Sequence, residues 1–534
     1  MERMSDAKNS IEMNGTTRAQ SLEDEEQQQQ QHEPIAKPGT EPESGGVQEK
    51  KYVEVSFDDG YFPDQFKDPQ KMPPARFYLG MAVIAYNAFI LSLYASAYLY
   101  VAPYAQEEFH TGEQVSRLPF VFYVMVWGVG TLFLVPLADL YGRKPIFITS
   151  CALWVIWHIG AARANNMATL TVTRAFAGLV GTATLAVGGS YAVEAAQGLV
   201  VAKGIVIYSC GVFLGPAIGP LIGGAVANYV TNDNQEKAGW RWVFYSAIIA
   251  GVISVVLFIF VYPETNRSVL LQRKARLIRK QYPHLDVRLG FEPPKFGEKV
   301  VYIATTAGKM IITEPIVIFI SLWQTTVLGV LYLFFEAFPI VYGPKDLYYA
   351  NSGYNFNAFQ IGLAFLGIGL GITLGGVYGF TLDLKFYVKM VMARRGARPP
   401  ELRAYLGIGS SVLATVSLFW FGFTTYSDSV HWIVSIIASV FYGMSVMGVL
   451  LVTIGYTVDA YGPKSGAAFA AEALIRSCIT AILPLFGDKM FQNLGPRYAV
   501  LILALISLAE IAIPVVALLY GKTIRGWSNL AVKG

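Results

Sequence analysis

Ten stretches of at least 18 residues run without a single Asp, Glu, Lys or Arg, among them 77–106, 118–138, 204–232 and 404–427. A bilayer core about 30 Å thick takes roughly 20 apolar helical residues to cross. The pattern predicts an all-α membrane protein of twelve transmembrane helices, over roughly 77–103, 118–138, 145–163, 168–192, 201–228, 242–262, 315–341, 358–380, 403–425, 429–456, 464–487 and 498–521. Glu472, Arg476 and Glu510 interrupt the last two. The plan divides into a tail over 1–76, a six-helix half over 77–262, a hydrophilic loop over 263–311, a second six-helix half over 312–522 and a short tail over 523–534. An even number of crossings in each half leaves both termini in one compartment.

Composition agrees. Of 534 residues, 54% are hydrophobic and 15% charged, against about 25% charged in an average soluble protein. A soluble enzyme, a collagen-like chain and a disordered protein are excluded. Cys151, Cys210 and Cys478 fall in apolar segments far apart, which suggests no disulfide framework. Residues 1–76 are polar and acidic, with Glu23-Asp24-Glu25-Glu26 followed by five glutamines, and are predicted to be a disordered cytosolic tail. A docking or degradation signal is the alternative. The first apolar run begins at Phe77, so no secretory signal peptide is expected.

With the N-terminus inside, the inward loops and C-terminal tail hold 23 Lys and Arg against seven in the outward loops. That bias predicts cytoplasmic termini, and explains the basic residues of 266–309 without nucleic acid. Six plus six helices is the plan of a secondary transporter with its solute site between the halves. No Walker-type loop and no room for a nucleotide-binding domain argue against a primary pump. No cofactor, metal site or catalytic residue is expected.

Two motifs carry the chemistry. Asp139-Leu140-Tyr141-Gly142-Arg143-Lys144 joins spans two and three. A carboxylate, a turn glycine and two cations at a helix end must pair with each other, a helix terminus or water, and such a cluster could gate the inner side. Marking the membrane surface is the alternative. In span five, Gly211, Gly215, Gly219 and Gly223 recur every four residues, with Pro216 and Pro220 between them. The glycines form a bare stripe for close helix approach. Span eight has a matching stripe, Gly367, Gly371, Gly375 and Gly379. The two stripes are expected to pack on each other across the seam between halves.

With Arg174-Ala175-Phe176-Ala177-Gly178, Gly239-Trp240-Arg241, Pro263-Glu264-Thr265, Glu314-Pro315, Asp459-Ala460-Tyr461 and Leu474-Ile475-Arg476-Ser477 in the same order, the chain resembles the major facilitator superfamily, specifically its fungal-type twelve-span drug:proton antiporters. The resemblance runs from Phe77 to Arg525 and implies two pseudo-symmetric halves that export amphipathic or cationic organic solutes in exchange for protons. It departs from the pattern at Val135 and Leu140, where the family shows Gly and Arg, and at Glu472, where a small amide is commoner.

Embedded charges cost about 2.5–3.5 kcal/mol at a helix centre, so each needs a partner or a purpose. Arg174 in span four is placed by the resemblance near the proton path. Glu336, in an aromatic run of span seven, could take a proton or attract a cationic solute; the alternative is a residue at the outer surface. These two are the proton-coupling candidates. Glu472 and Arg476, spaced i, i+4, are expected to form a structural salt bridge, Glu510 has no partner in its own helix, and His158 is expected to be a hydrogen-bonded core residue. Glu194 is expected to latch onto Arg143.

The family fold makes spans one, four, seven and ten line the cavity, so Asn87, Tyr94, Tyr98, Trp323, Gln324 and Tyr442 are substrate-binding candidates; the lipid-interface aromatic belt is the alternative. The expected protein is a monomeric plasma-membrane exporter of drugs, toxins or secondary metabolites. Uptake of a polyamine or organic acid, and a non-transporting membrane sensor, stay open on the residues.

Overall fold

The computed structural model describes residues 52–531, apart from 63–64, 233–238, 292–294, 345–352, 380, 382–383, 394–398, 426–428 and 529. The acidic and glutamine runs of the tail lie outside the described residues. Spans one to ten are the helices Pro74–Tyr100, Glu113–Tyr141, Arg143–Ala162, Met167–Ala195, Val200–Val230, Gly239–Phe260, Pro315–Tyr342, Ala358–Tyr378, Glu401–Phe423 and Trp432–Tyr461. An eleventh apolar helix, Ser465–Trp527, is 63 residues long. It breaks at Gly495, where φ is 79° and ψ 152°, a conformation glycine adopts without steric cost. Its two arms, 465–494 and 496–527, are consistent with crossings eleven and twelve. Local chemistry starts several spans: Asn166 accepts from Thr169 N–H at 2.8 Å, and Asn357 with Gln360 closes a capping box.

The halves meet where span two packs on span eleven and span five on span eight. The glycine stripes do not meet each other, contrary to the sequence expectation. A Cβ on Gly211, Gly215, Gly219 or Gly223 would strike Ala85, Ser92, Leu93, Ser96 or Ala97 of span one. The span-eight stripe lies on Ile436, Val440, Gly443, Met444 and Leu451 of span ten. Each bare face thus brings two helices of one half together. The seam uses the adjoining faces instead, with Gly362 against Pro220 and Leu221, Gly369 against Ala217, and Gly376 against Cys210. Seen from sequence alone, a four-residue period identifies a close-packing face but not its partner.

A second correction concerns the tail and central loop. Residues 52–62 and 65–76 are ordered, and the loop contains the helices Arg267–Gln281 and Phe296–Thr313. Strand β1 (Tyr52–Glu54) pairs in parallel with β2 (Asp286–Arg288). Val55, Ala275, Ile278 and Val287 bury a small apolar cluster beneath them. Lys274 is fully buried there, 2.5 Å from Asp59 and 2.7 Å from the Ser56 carbonyl. Neither segment could bury that cluster alone, which is why each reads as polar by itself.

Candidate functional site

At the C-terminal end of span two the expected cluster forms, with Glu264, Thr265 and Lys299 added to it. Gly142 has φ 104°, which frees the chain to turn at once into span three. Arg143 reaches Asp139 at 2.6 Å and Glu194 at 2.7 Å. Thr265 Oγ1 donates to the other Glu194 oxygen at 2.9 Å. Glu264 accepts from the N–H groups of Arg143 (2.9 Å) and Lys144 (3.1 Å), placing a carboxylate on the open N-terminus of span three. The Lys144 ammonium caps the far end of span six at the Ile259 carbonyl, 2.8 Å away. Asp139 is shared: its second oxygen lies 2.8 Å from Lys299, on the helix that leads into span seven.

A second cluster closes the other end of the seam. Glu336 is 2.9 Å from Arg117 at the start of span two. Arg117 also lies 3.0 Å from Glu113 and 3.7 Å from Asp488 on span eleven. One guanidinium therefore faces three carboxylates drawn from both halves. All but Glu113 are nearly buried. Such a group holds excess negative charge that a proton can relieve.

Arg174 is fully buried. It donates to the backbone carbonyls of Tyr94 (2.9 Å) and Ala95 (3.3 Å), where span one tightens into a 3₁₀ turn. Its guanidinium lies 4.1 Å from the Tyr123 ring centroid and 5.3 Å from that of Tyr98. Its partners are thus carbonyls and rings. No carboxylate pairs with it among the described residues.

The six substrate-binding candidates do not converge. Asn87 sits inside the first half, donating to Ser254 at 2.6 Å and accepting from Thr184 at 2.6 Å. The Tyr94 ring lies tilted against Trp154, with centroids 6.2 Å apart. Tyr98 donates to the Ser116 carbonyl at 2.8 Å, and Tyr442 to that of Val327 at 2.7 Å. Trp323 donates to Ser411 at 3.1 Å and lines an apolar cavity of about 160 Å³ with Ile320, Tyr456 and Ile513. Gln324, one residue on, faces the opposite way. Its Oε1 accepts from Arg476 at 2.6 Å while its amide donates to Glu472 at 3.3 Å. The expected Glu472–Arg476 salt bridge is not made directly; Gln324 stands between them, and Thr457 donates to Glu472 at 2.6 Å.

Residues 83–474 match the family model of the Major Facilitator Superfamily. The chain belongs to that superfamily. It is 32% identical over 472 residues to an uncharacterized transporter of Schizosaccharomyces pombe, covering 87% of this chain and 84% of the relative. It is 29% identical to a probable drug/proton antiporter of Saccharomyces cerevisiae (88% and 89% covered) and 33% identical to an efflux pump of Trichophyton rubrum (87% and 76% covered). The solved structure of the proton:xylose symporter XylE superposes with a TM-score of 0.59 at 14% identity, over 83% of this chain and 96% of that one. This likeness concerns the fold. The chain is a multi-pass membrane transporter, not an enzyme.

In this transporter, four polar partners escaped the sequence reading. Arg117 and Asp488 stand on spans remote in sequence from Glu336. Glu264 lies within the quoted Pro263-Glu264-Thr265 motif, but its grip on a helix N-terminus needs the fold. Lys299 lies in a loop where basic residues have an orientation role already. His158 is as expected: buried, with Nδ1 2.9 Å from the Trp154 carbonyl, which assigns the proton to Nδ1. Glu510 is buried on span twelve.

Proposed function

We propose that the chain is a proton-coupled efflux transporter for small amphipathic or cationic organic compounds, working as a monomer in the plasma membrane with both termini cytoplasmic. The two halves, 77–262 and 312–522, rock about the seam of spans two, five, eight and eleven. The observation that carries the reading is the Arg117 cluster. A proton arriving from outside at Glu336 weakens the tie to Arg117, and the outer end opens. At the inner end, the Asp139, Gly142, Arg143, Lys144 and Glu194 group and the Asp139–Lys299 pair play the matching part. Close packing of span five on span one, through Gly211, Gly215, Gly219 and Gly223 with Pro216 and Pro220 between them, lets the first half turn as one body. Relatives named as a drug/proton antiporter and an efflux pump support the direction.

The energetics suffice. A proton crossing about 100 mV releases roughly 2.3 kcal/mol, and each pH unit adds about 1.4 kcal/mol. The test is a resistance and efflux panel comparing wild type with R174A and E336Q. Both variants are expected to lose efflux, E336Q through the gate and R174A through the span-one turn it holds. Unaltered efflux in both, with the protein still made, would overturn the assignment.

A further inference from the structure

Glu472 is an embedded carboxylate that neither gate uses, more fully buried than Glu510. It is 1% exposed and lies about two turns into span eleven, which begins at Ser465. Both its oxygens act as acceptors, from Thr457 of span ten and Gln324 of span seven. That is the arrangement of an ionised group. Its balancing cation, Arg476, stands one turn away beyond Gln324 and is only partly buried. Arg476 stands near Tyr208 of span five, in the other half, and Tyr332 of span seven, in its own. The same turn touches span two, where a Cβ on Gly128 would lie 2.6 Å from the Leu474 Cα.

Several charged groups on the elements packed against span eleven pair with each other, while Lys309 and Lys522 make no ion pair among the described residues. Lys299 pairs with Asp139, Arg403 with Asp459 and Arg525 with Glu401. Toward the inner end of span ten, one turn beyond Thr457, Tyr461 donates to the buried Glu314 at 3.1 Å. Glu472 is thus tied through Thr457 to span ten, and through Gln324 and Arg476 to the turn of span eleven that meets span two.

We propose that Glu472 carries the exchanged proton, and that Gln324 and Arg476 pass its charge state to the solute. With Glu472 ionised, the Glu472–Gln324–Arg476 unit is neutral overall; with the proton on, it carries one positive charge. A cationic solute beside Arg476 therefore binds the deprotonated form and is repelled by the protonated one. Mutual exclusion of proton and cation is antiport. An anion would favour the protonated form and be cotransported with the proton, so the same triad makes the transporter select cations for exchange. This inference rests on the proton-coupled reading above and assigns its coupling site.

The experiment uses the full chain in two arms. In proteoliposomes with an acidic interior, accumulation of radiolabelled ethidium by wild type rises up to about tenfold per pH unit for one-to-one exchange. E472Q, whose amide still bonds Thr457 and Gln324, is expected to equilibrate ethidium with no response to the gradient. An E472Q response equal to wild type overturns the inference while leaving proton coupling intact; no response in wild type itself overturns the antiport reading. Infrared pH-difference spectra of the purified protein decide the assignment independently of any solute. A protonated-carboxyl band present in wild type and lost in E472Q supports it, and an unchanged band overturns it. T457V guards against misfolding: the band is expected to persist with a displaced midpoint, and an undisplaced midpoint overturns the assignment.

Discussion

Arg117 on span two and Glu336 on span seven lie 2.9 Å apart, separated by 219 positions in sequence. Asp139, 22 residues further along span two, holds Lys299 at 2.8 Å. At 1.5 Å per residue these ties are about 33 Å apart, close to the thickness of a bilayer core. One helix therefore carries a cross-seam ion pair at each end. Rocking the halves can break one while keeping the other.

The outer tie gives the first prediction. Removing one partner of a buried pair leaves the other uncompensated, at a cost of about 3 kcal/mol. R117A is expected to shift the protein toward the outward-open form, read as faster labelling of a cysteine at position 336 neighbour Phe335 by an impermeant reagent. Labelling no faster than in the parent would count against the tie.

The inner tie should act oppositely. K299Q frees the loop helix but leaves Asp139 with Arg143, whereas D139N releases both. K299Q is expected to raise cytosolic labelling of this end modestly and D139N more strongly. No change in K299Q would mean that Lys299 contributes nothing to closure.

Gly142 allows a direct test of the Glu264 contact. A Cβ there would meet the Glu264 carboxylate and force φ 104° on an alanine. Strain of this kind costs about 1–3 kcal/mol. G142A should lower the unfolding temperature, and E264Q combined with it should not restore stability, since the backbone strain remains.

Glu108 predicts a pH effect outside the spans. Burial alone would raise its pKa, but hydrogen bonds from Arg241 and Trp240 and the Arg241 charge hold it below the usual carboxylate value. A lowered folded pKa stabilises above the unfolded value and is lost as pH falls through the folded one. Stability from this group should be level near neutrality and fall off only in acid. E108Q should lose about 2 kcal/mol at neutral pH and show a flatter acid limb in thermal unfolding.

The spans were legible because stretches such as 204–232 contain no charge to stop them, and Gly495 marks the break between the last two arms. Arg143 with Glu194 was legible only through the family resemblance, whose fold brings these two helix ends of one half together. The Arg117–Glu336 pair was not, because nothing in a linear pattern links positions so far apart. The glycine stripes show the middle case. Their period declared a close contact, yet Gly215 found Ser92 rather than span eight, because the tightest approach serves packing within a half. Gln324 between Glu472 and Arg476 was hidden for a similar reason: a third side chain from span seven intervened in what the i, i+4 spacing presented as a simple pair.

Efflux of a fluorescent cationic drug from energised cells, followed while a protonophore collapses the proton gradient, tests the central claim most directly. The account predicts that extrusion stops as the gradient is lost and resumes when it is re-imposed. Extrusion continuing at its full rate after collapse, in cells where the transporter is the pump responsible, would contradict it.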